Sequence, residues 1–547
     1  MASFTISGNF VDLFERTIYP AEVVVEEGRI VSVIETKTAP AQYILPGFID
    51  AHVHIESSML PPSSFGRMAV VHGTVATVSD PHEIANVCGV EGVRYMVNNS
   101  KLTLFKFFFG VPSCVPATIY ETAGAAIGPE QVETLLKDSD MWYLSEMMNY
   151  PGVLNSDAEV MMKIDAARKL GKPVDGHAPG VRGALAARYA AAGITTDHES
   201  VSLEEAVDKV KQGMHCLIRE GSAAKNFEAL IEIIRHYPDK VMFCSDDKHP
   251  DELVLHHIDE HVRRAIAGGY DLFDVLRAAS VNPVLHYKLP VGLLREGDAA
   301  DFIVVENLEE FKVNQTYING HLVAENGESN LPDVMAELIN NFIAGPVQST
   351  GFIEPVSSAS GTIRVIEALD GQLITNELQL EGKVTDGCYV ADPSRDILKL
   401  VVVNRYTQKT KTSIAFIKNF GLKRGAIASS VAHDSHNIVA VGADDESLAA
   451  AINAVISAKG GVALAKDPAT IDCLALPIAG LMSDEDGYIV AKRYSELDKK
   501  AKELGSTLRS PFMTLSFMAL LVIPSLKLSD KGLFNGTEFR FTSVEVE

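Results

Sequence analysis

Positive charge is scarce in this 547-residue chain: 48 lysines and arginines face 72 aspartates and glutamates, a formal net charge of −24. A surface of that sign repels a polyanion, so nucleic acid is excluded as a partner while a neutral small molecule meets no barrier. Cysteine is sparse as well. The six, Cys88, Cys114, Cys216, Cys244, Cys388 and Cys473, form no Cys-x-x-Cys pair, which suits reduced packing residues in a cytoplasmic protein rather than a disulfide framework. Neither a Gly-x-x-x-x-Gly-Lys phosphate loop nor a Gly-x-Ser-x-Gly nucleophile elbow is present. No apolar run is long enough to cross a membrane: the best, Phe517 to Ile523, is short and runs into Pro524. The start, Met-Ala-Ser-Phe-Thr-Ile-Ser-Gly, shows no basic region followed by an apolar core, so no secretory signal is expected and the cytoplasm is the expected location. What is plentiful is apolar material, 47% of residues with 7% aromatic, ample for the cores of two or three domains.

The most telling stretch is Asp50-Ala51-His52-Val53-His54-Ile55-Glu56, after Ile44-Leu45-Pro46-Gly47-Phe48-Ile49. Side chains two apart on a strand project to one face, so His52 and His54 can share a metal ion. The apolar run, punctuated by Pro46-Gly47, reads as a buried strand that delivers both histidines at its C-terminal end, where barrel enzymes keep their chemistry. A lone His-x-His also suits packed core histidines. Further ligand types then follow on similar strand ends: His177 before Ala178-Pro179-Gly180, His198 after Gly193-Ile194-Thr195-Thr196-Asp197, and Asp246-Asp247 closing Val241-Met242-Phe243-Cys244-Ser245. Each alone suits a cap or turn. Four strand ends carrying such side chains point together to one metal centre.

Strands and helices alternate over residues 46–285. Thr74 to Asp80, Leu104 to Gly110 and Met214 to Ile218 fill the second, third and seventh strand places, and Ser202 with Glu205 predicts a capped helix from Leu203. Eight strand slots fit a closed parallel barrel. An open doubly wound sheet would scatter the histidines along one edge.

The order His-x-His, His, His, Asp resembles the amidohydrolase superfamily, metal-dependent hydrolases on a (β/α)8 barrel. Three further segments, Asp80-Pro81-His82-Glu83-Ile84-Ala85-Asn86, Ser245-Asp246-Asp247-Lys248-His249-Pro250 and Ala432-His433-Asp434-Ser435-His436-Asn437, with Glu146 on the fourth strand, make the chain similar to the bacterial adenine deaminase family over essentially its full length. The resemblance implies an α/β fold: a (β/α)8 TIM-type barrel, a small flanking β-sandwich and a C-terminal α/β domain. It also implies that Glu146 takes the bridging place that a carboxylated lysine fills elsewhere, one carboxylate oxygen per cation.

On this resemblance two divalent ions sit among His52, His54, Glu146, His177, His198 and Asp246. Nitrogen and oxygen ligands favour manganese, iron or zinc over copper, and the resemblance tilts this to Mn2+ or Fe2+, with Zn2+ as the alternative. Coordination lowers the pKa of water from about 15.7 to about 7, giving a hydroxide that attacks C6 of adenine. Asp246 is placed to accept the proton and pass it to the departing amine, so the products are hypoxanthine and ammonia. Ring activation needs another acidic group. The glutamate that serves related adenosine deaminases, just after the fifth-strand histidine, is replaced by Ala178, so Glu83 and His82 are the first candidates, with Asp247 as a ring-nitrogen contact; capping around Pro81 is the bland alternative. The alternative substrates are an N6-substituted adenine or another cyclic amidine or amide. A dihydropyrimidinase would need lysine where Glu146 stands, and the small zinc nucleobase deaminases would show His-x-Glu with Pro-Cys-x-x-Cys, which is absent. A barrel kept only as a metal-binding scaffold is disfavoured by the complete ligand set.

Segment boundaries follow. Residues 1–45 and 286–345 carry hairpin-like strands, with Gly28 turning Ala21 to Val25 into Ile30 to Ile34; the resemblance pairs them into the β-sandwich. Residues 346–547, after Gly345-Pro346, mix a strand over Leu398 to Val403 with a helix over Glu446 to Val455. The His433–His436 segment reads as a hydrogen-bonded turn in preference to a third metal site, with closure over the barrel mouth as a further reading. A homodimer acting on a small purine base, without membrane or nucleic acid, completes the expectation.

Overall fold

The computed structural model describes residues 3–357, 360–408 and 411–546; Met1 and Ala2, which begin the stretch read for a secretory signal, lie outside the described residues. β1 (Phe4–Asp12), β2 (Thr17–Glu26) and β3 (Arg29–Glu35) form antiparallel pairs, and β4 (Tyr43–Pro46) runs parallel to β1. β2 buries Ala21, Val23 and Val25 in turn, the period-2 pattern of a half-buried strand. The β2–β3 turn is Glu27-Gly28, both at positive φ (48° and 79°), as a two-residue hairpin of the right twist demands.

Eight parallel strands follow: β5 (Phe48–Val53), β6 (Thr74–Ser79), β7 (Lys106–Val111), β8 (Met141–Met147), β9 (Val174–Gly176), β10 (Thr196–Asp197), β11 (His215–Arg219) and β12 (Val241–Cys244). Ladders join β5 through β9 and β10 through β12. The gaps close through Thr195 N–H to Val174 O at 2.8 Å and through a Val53–Asp246 bridge, with Asp246 N–H donating to His52 O at 2.9 Å. Asp50, fully buried, fastens that seam. Its carboxylate accepts from Ser245 N at 3.0 Å and from His52 N at 3.2 Å, and meets His257 Nε2 at 2.8 Å. Gly47 enters β5 where a Cβ would meet Val75 at 2.3 Å, so only glycine lets β6 lie this close. The barrel expected from eight strand slots is present, with helices such as His82–Ser100 and Ile258–Ala267 outside it.

β13 (Phe302–Val305) pairs antiparallel with β4, and β14 (Val313–Ile318), β15 (His321–Glu325) and β16 (Glu328–Ser329) extend it. The flanking sandwich is therefore one continuous sheet, ordered β16-β15-β14-β13-β4-β1-β2-β3, folded over Phe10, Val23, Ile44, Phe302 and Val304. Its seam at β4–β13 explains why strands far apart in sequence belong together.

Beyond residue 346 a second eight-stranded sheet, mostly antiparallel, centres on Ile397–Val403 between Thr412–Lys418 and Ile438–Gly442. Helix Asp445–Ser457, capped by Asp444 accepting from Ser447 N at 2.7 Å, covers one face over Val401, Ala428 and Ala440. The capping box expected at Ser202 is half realised. Ser202 Oγ accepts from Glu205 N at 3.3 Å, but the Glu205 carboxylate turns instead to Gly180 N at 2.8 Å and Lys209 at 3.0 Å. A buried lysine outbids a surface N–H for a buried carboxylate.

His261, fully buried on helix Ile258–Ala267, packs 5.2 Å from the Phe243 ring and 6.1 Å from Phe227. Burial first, then Lys248 and Arg264, pushes its imidazole from 6.5 down to about 3. Between those values the unfolded chain binds a proton that the folded chain refuses, so this site's stability is whole above pH 6.5 and drains by about 1.4 kcal/mol per pH unit on acidification towards pH 3. His261→Phe removes that one-proton slope: the urea midpoint of the variant is expected to fall less between pH 7 and pH 5 than that of the wild type. Parallel losses in both proteins would show that His261 does not bear it.

Candidate active site

The C-terminal ends of the barrel strands converge as the sequence predicts. His52 and His54 leave β5 on one face with their Nε2 atoms 3.2 Å apart. Glu146, near the end of β8, is buried at the centre, and its two oxygens look different ways. Oε1 lies 3.3 Å from His54 Nε2; Oε2 lies 2.7 Å from His177 Nδ1 and 3.0 Å from His198 Nε2. Asp246 Oδ1 is 3.3 Å from His54 Nε2 and 3.8 Å from His52 Nε2. Burial pushes the Glu146 carboxyl up, but His177 and His198 outweigh it and hold the group well below its ordinary range.

Ligand atoms of His52, His54 and Asp246 lie within 4.8 Å of one another, and so do those of His52, Glu146 and His198. The donors are imidazole nitrogen and carboxylate oxygen, the set that borderline and hard divalent cations take. The residues present therefore fit a metal centre, and Glu146 faces both halves of it.

Asp246 sits just past β12 with φ at 56°. This left-handed backbone, tolerated by aspartate but uncommon, turns the carboxylate into the barrel. Arg219, at the end of β11, approaches Asp246 Oδ2 to 2.6 Å and grips Glu199 with both Nη atoms, Nη2 to Oε2 at 3.0 Å. Burial raises the Asp246 carboxyl, and Arg219 chief among its partners overrides this to hold it well below its ordinary value.

His82 and Glu83 open helix His82–Ser100 beyond β6. His82 Nδ1 is 3.3 Å from Asp80 Oδ2 and 3.6 Å from Glu146 Oε1, and Nε2 is 3.5 Å from Glu83 Oε1. Asp247 accepts from Ser57 Oγ at 2.5 Å and borders the cavity. The cavity, ≈ 30 Å³ in volume, is lined by every predicted site residue except His52, which is fully buried beside it.

Its roof comes from the C-terminal region. The 432–437 segment is a turn, with His436 N–H donating to Ala432 O at 2.7 Å, but it hangs over the barrel mouth. His433 Nδ1 and His436 Nε2 contact the two oxygens of Glu83, one each. The turn expected from sequence is present at the barrel mouth, and its two histidines with Glu83 also form a buried group of metal-ligand type, the reading that the sequence ranked behind the turn. Phe517 stacks on His433 with centroids 4.4 Å apart and planes at 13°, and Leu373, Leu520, Val522 and Ile523 complete an apolar wall. Lys527, buried with no acidic partner among the described residues, ties this wall down by donating to Leu373 O at 2.7 Å and Phe517 O at 2.9 Å; burial pushes its ammonium down to about 7. The apolar run Phe517 to Ile523 lines the roof, and among the described residues no helix is long and apolar enough to cross a membrane.

Sequence reasoning missed Glu199 and Arg219, although both stand at strand ends where the same rule applies. It also missed Phe517 and its neighbours, for which no local signal exists.

Residues 43–323 match the Amidohydrolase family and residues 372–540 the Adenine deaminase C-terminal domain. The chain is 57% identical over 547 residues to an adenine deaminase of Salinibacter ruber, covering 100% of both chains. It is 56% identical to one of a Sulfurovum species, over 98% of each, and 51% identical to one of Methanosarcina barkeri, over 99% of each. With that identity across its whole length, and with the site's ligand types in place, the chain belongs to the adenine deaminase family of amidohydrolases.

Proposed function

We propose that the protein hydrolyses adenine to hypoxanthine and ammonia at a binuclear divalent-metal site. The observation that carries this is Glu146, whose two oxygens each address a different group of histidines. His52, His54 and Asp246 would hold one ion, His177 and His198 the other, with Glu146 between them. Such ions supply hydroxide at neutral pH by lowering the pKa of bound water to about 7; Mn2+ or Fe2+ suits this ligand set, with Zn2+ as the alternative.

The chain's own groups do the rest. Asp246, kept ionised by Arg219, takes the proton released on attack at C6 and delivers it to the leaving amine. Glu83, His82 and Asp247 border the cavity, where they would face the ring nitrogens of a bound purine. The apolar wall of Phe517, Leu520, Val522 and Ile523 suits a flat, uncharged purine. The same reading divides the chain into a sandwich from 1–45 and 286–345, a catalytic barrel at 46–285 and a covering domain at 346–547, acting as a homodimer in the cytoplasm.

Metal analysis of anaerobically purified protein, followed by an ammonia-release screen over adenine, N6-methyladenine, adenosine and cytosine, tests this. Two ions per chain with adenine as the preferred substrate are expected, and chelation should abolish release until metal is restored. Full turnover in metal-free protein would refute the reading, and preference for N6-methyladenine would move it to a substituted base.

A further inference from the structure

We propose that His433, from the C-terminal roof, is the group that protonates the purine ring, through its Nε2 atom to ring nitrogen N1. The inference rests on the reading of the site as an adenine deaminase. Attack at C6 drives the C6–N1 π pair onto N1, and in a water-poor chamber an anionic nitrogen there is costly unless a donor meets it.

Three of the other groups around the cavity are engaged. Glu83 accepts contacts on both oxygens, so as a carboxylate it has no proton to offer. Arg219 is taken up by Glu199 and Asp246, and His82 lies among Asp80, Glu83 and Glu146. His433 differs. Its Nδ1 is held by Glu83, its ring is fixed flat against Phe517, and it borders the cavity. Its Nε2 is buried and has no hydrogen-bond partner among the described residues. A carboxylate on one ring nitrogen with a free N–H on the other is the arrangement by which histidine presents a proton in a set direction.

The surrounding charges agree. Burial draws the imidazole down, but Glu83 from the helix after β6, Asp247 from the loop after β12 and Asp434 on its own turn outweigh it and raise His433 to about 9. His249 beside that loop and His436 on the same turn are both pushed down, chiefly by burial, while His82, which faces Glu83 and Asp434, is pulled down by burial but raised well above its ordinary value by Asp80 and Glu83.

The protons balance. The Nε2–H bond of His433 breaks as the π pair closes on N1 and the oxygen–carbon bond forms. On collapse the C6–amine bond breaks, with ammonia carrying the first proton of water by way of Asp246, while N1 keeps the proton from His433 in the 6-oxo product. The second proton of water leaves to solvent, and solvent restores His433 after release.

The test compares metal-loaded wild type, H433Q and E83Q, following kcat for adenine against pH together with metal content and Tm. A wild-type kcat that falls on the alkaline side near pH 9 is expected. H433Q should lose about 10²- to 10³-fold in kcat and lack that limb while keeping its metals; E83Q should shift the limb towards neutrality by a unit or more. A purely structural role would lower Tm or raise KM and leave the limb in place. H433Q within threefold of wild type, or with the limb intact, overturns the assignment. Should H433Q be insoluble, an unshifted limb in E83Q overturns it. A wild type inert towards adenine overturns both readings, whereas an active wild type with an unaffected H433Q overturns this one alone.

Discussion

Glu146→Gln is expected to cost roughly 10³-fold or more in deamination and to lower bound metal at the same time, because in the proposed binuclear site this residue would serve both halves. The structure gives the reason. Oε1 faces His54 and Oε2 faces His177 and His198, the latter contacts at 2.7 and 3.0 Å. Glutamine keeps one acceptor oxygen and puts an NH2, a pure donor, where the second oxygen stood. One cation then meets no anionic oxygen from this residue, and the site loses a full negative charge in a buried setting where charge counts most. Metal content and ammonia release measured on the same preparation decide the matter. Normal stoichiometry with normal turnover would remove Glu146 from the bridging place.

Asp246→Asn separates binding from chemistry. The amide oxygen still faces His52 and His54 across the same 3.3 to 3.8 Å, so most of the metal should remain. What disappears is a base with an ionised oxygen. The loss expected for removing a positioned proton carrier is about 10²- to 10⁴-fold in kcat. Arg219, which keeps this carboxylate charged at 2.6 Å, still has Glu199 to pair with, so the fold is expected to survive. A variant whose kcat matched that of the wild type at neutral pH would show that the proton travels another way.

Much of this was legible in the sequence because it is written locally. Strand alternation placed His52 and His54 on one face, and the Pro46-Gly47 break marked where β5 begins. His177, His198 and Asp246 announced themselves as ligand types at strand ends, and the eight slots implied a closed barrel. Glu27-Gly28 gave the hairpin by its need for positive φ. The single continuous sheet behind the sandwich was hidden, since nothing in Tyr43 to Pro46 states that it will pair with Phe302 to Val305. The roof was hidden for the same reason. Glu83 and His433 are 350 residues apart, and no periodicity links them. Phe517 to Ile523 has the composition of any apolar run; only tertiary placement makes it a wall. Arg219 and Glu199 were within reach of the strand-end rule, but an arginine and a glutamate at such positions read equally well as a surface pair until burial is known.

The roof has a consequence for the order of synthesis. A ribosome delivers the whole ligand set once residue 246 has emerged, yet Leu373, the His433 turn and the Phe517 to Ile523 wall arrive much later. In a nascent chain every candidate ligand thus precedes the residues that enclose the chamber. Until then Glu83 lacks both imidazoles that grip it, and the barrel mouth stands open to bulk water. The enclosure of the chamber thus depends on the last-made third of the polypeptide, which follows every candidate ligand in the order of synthesis.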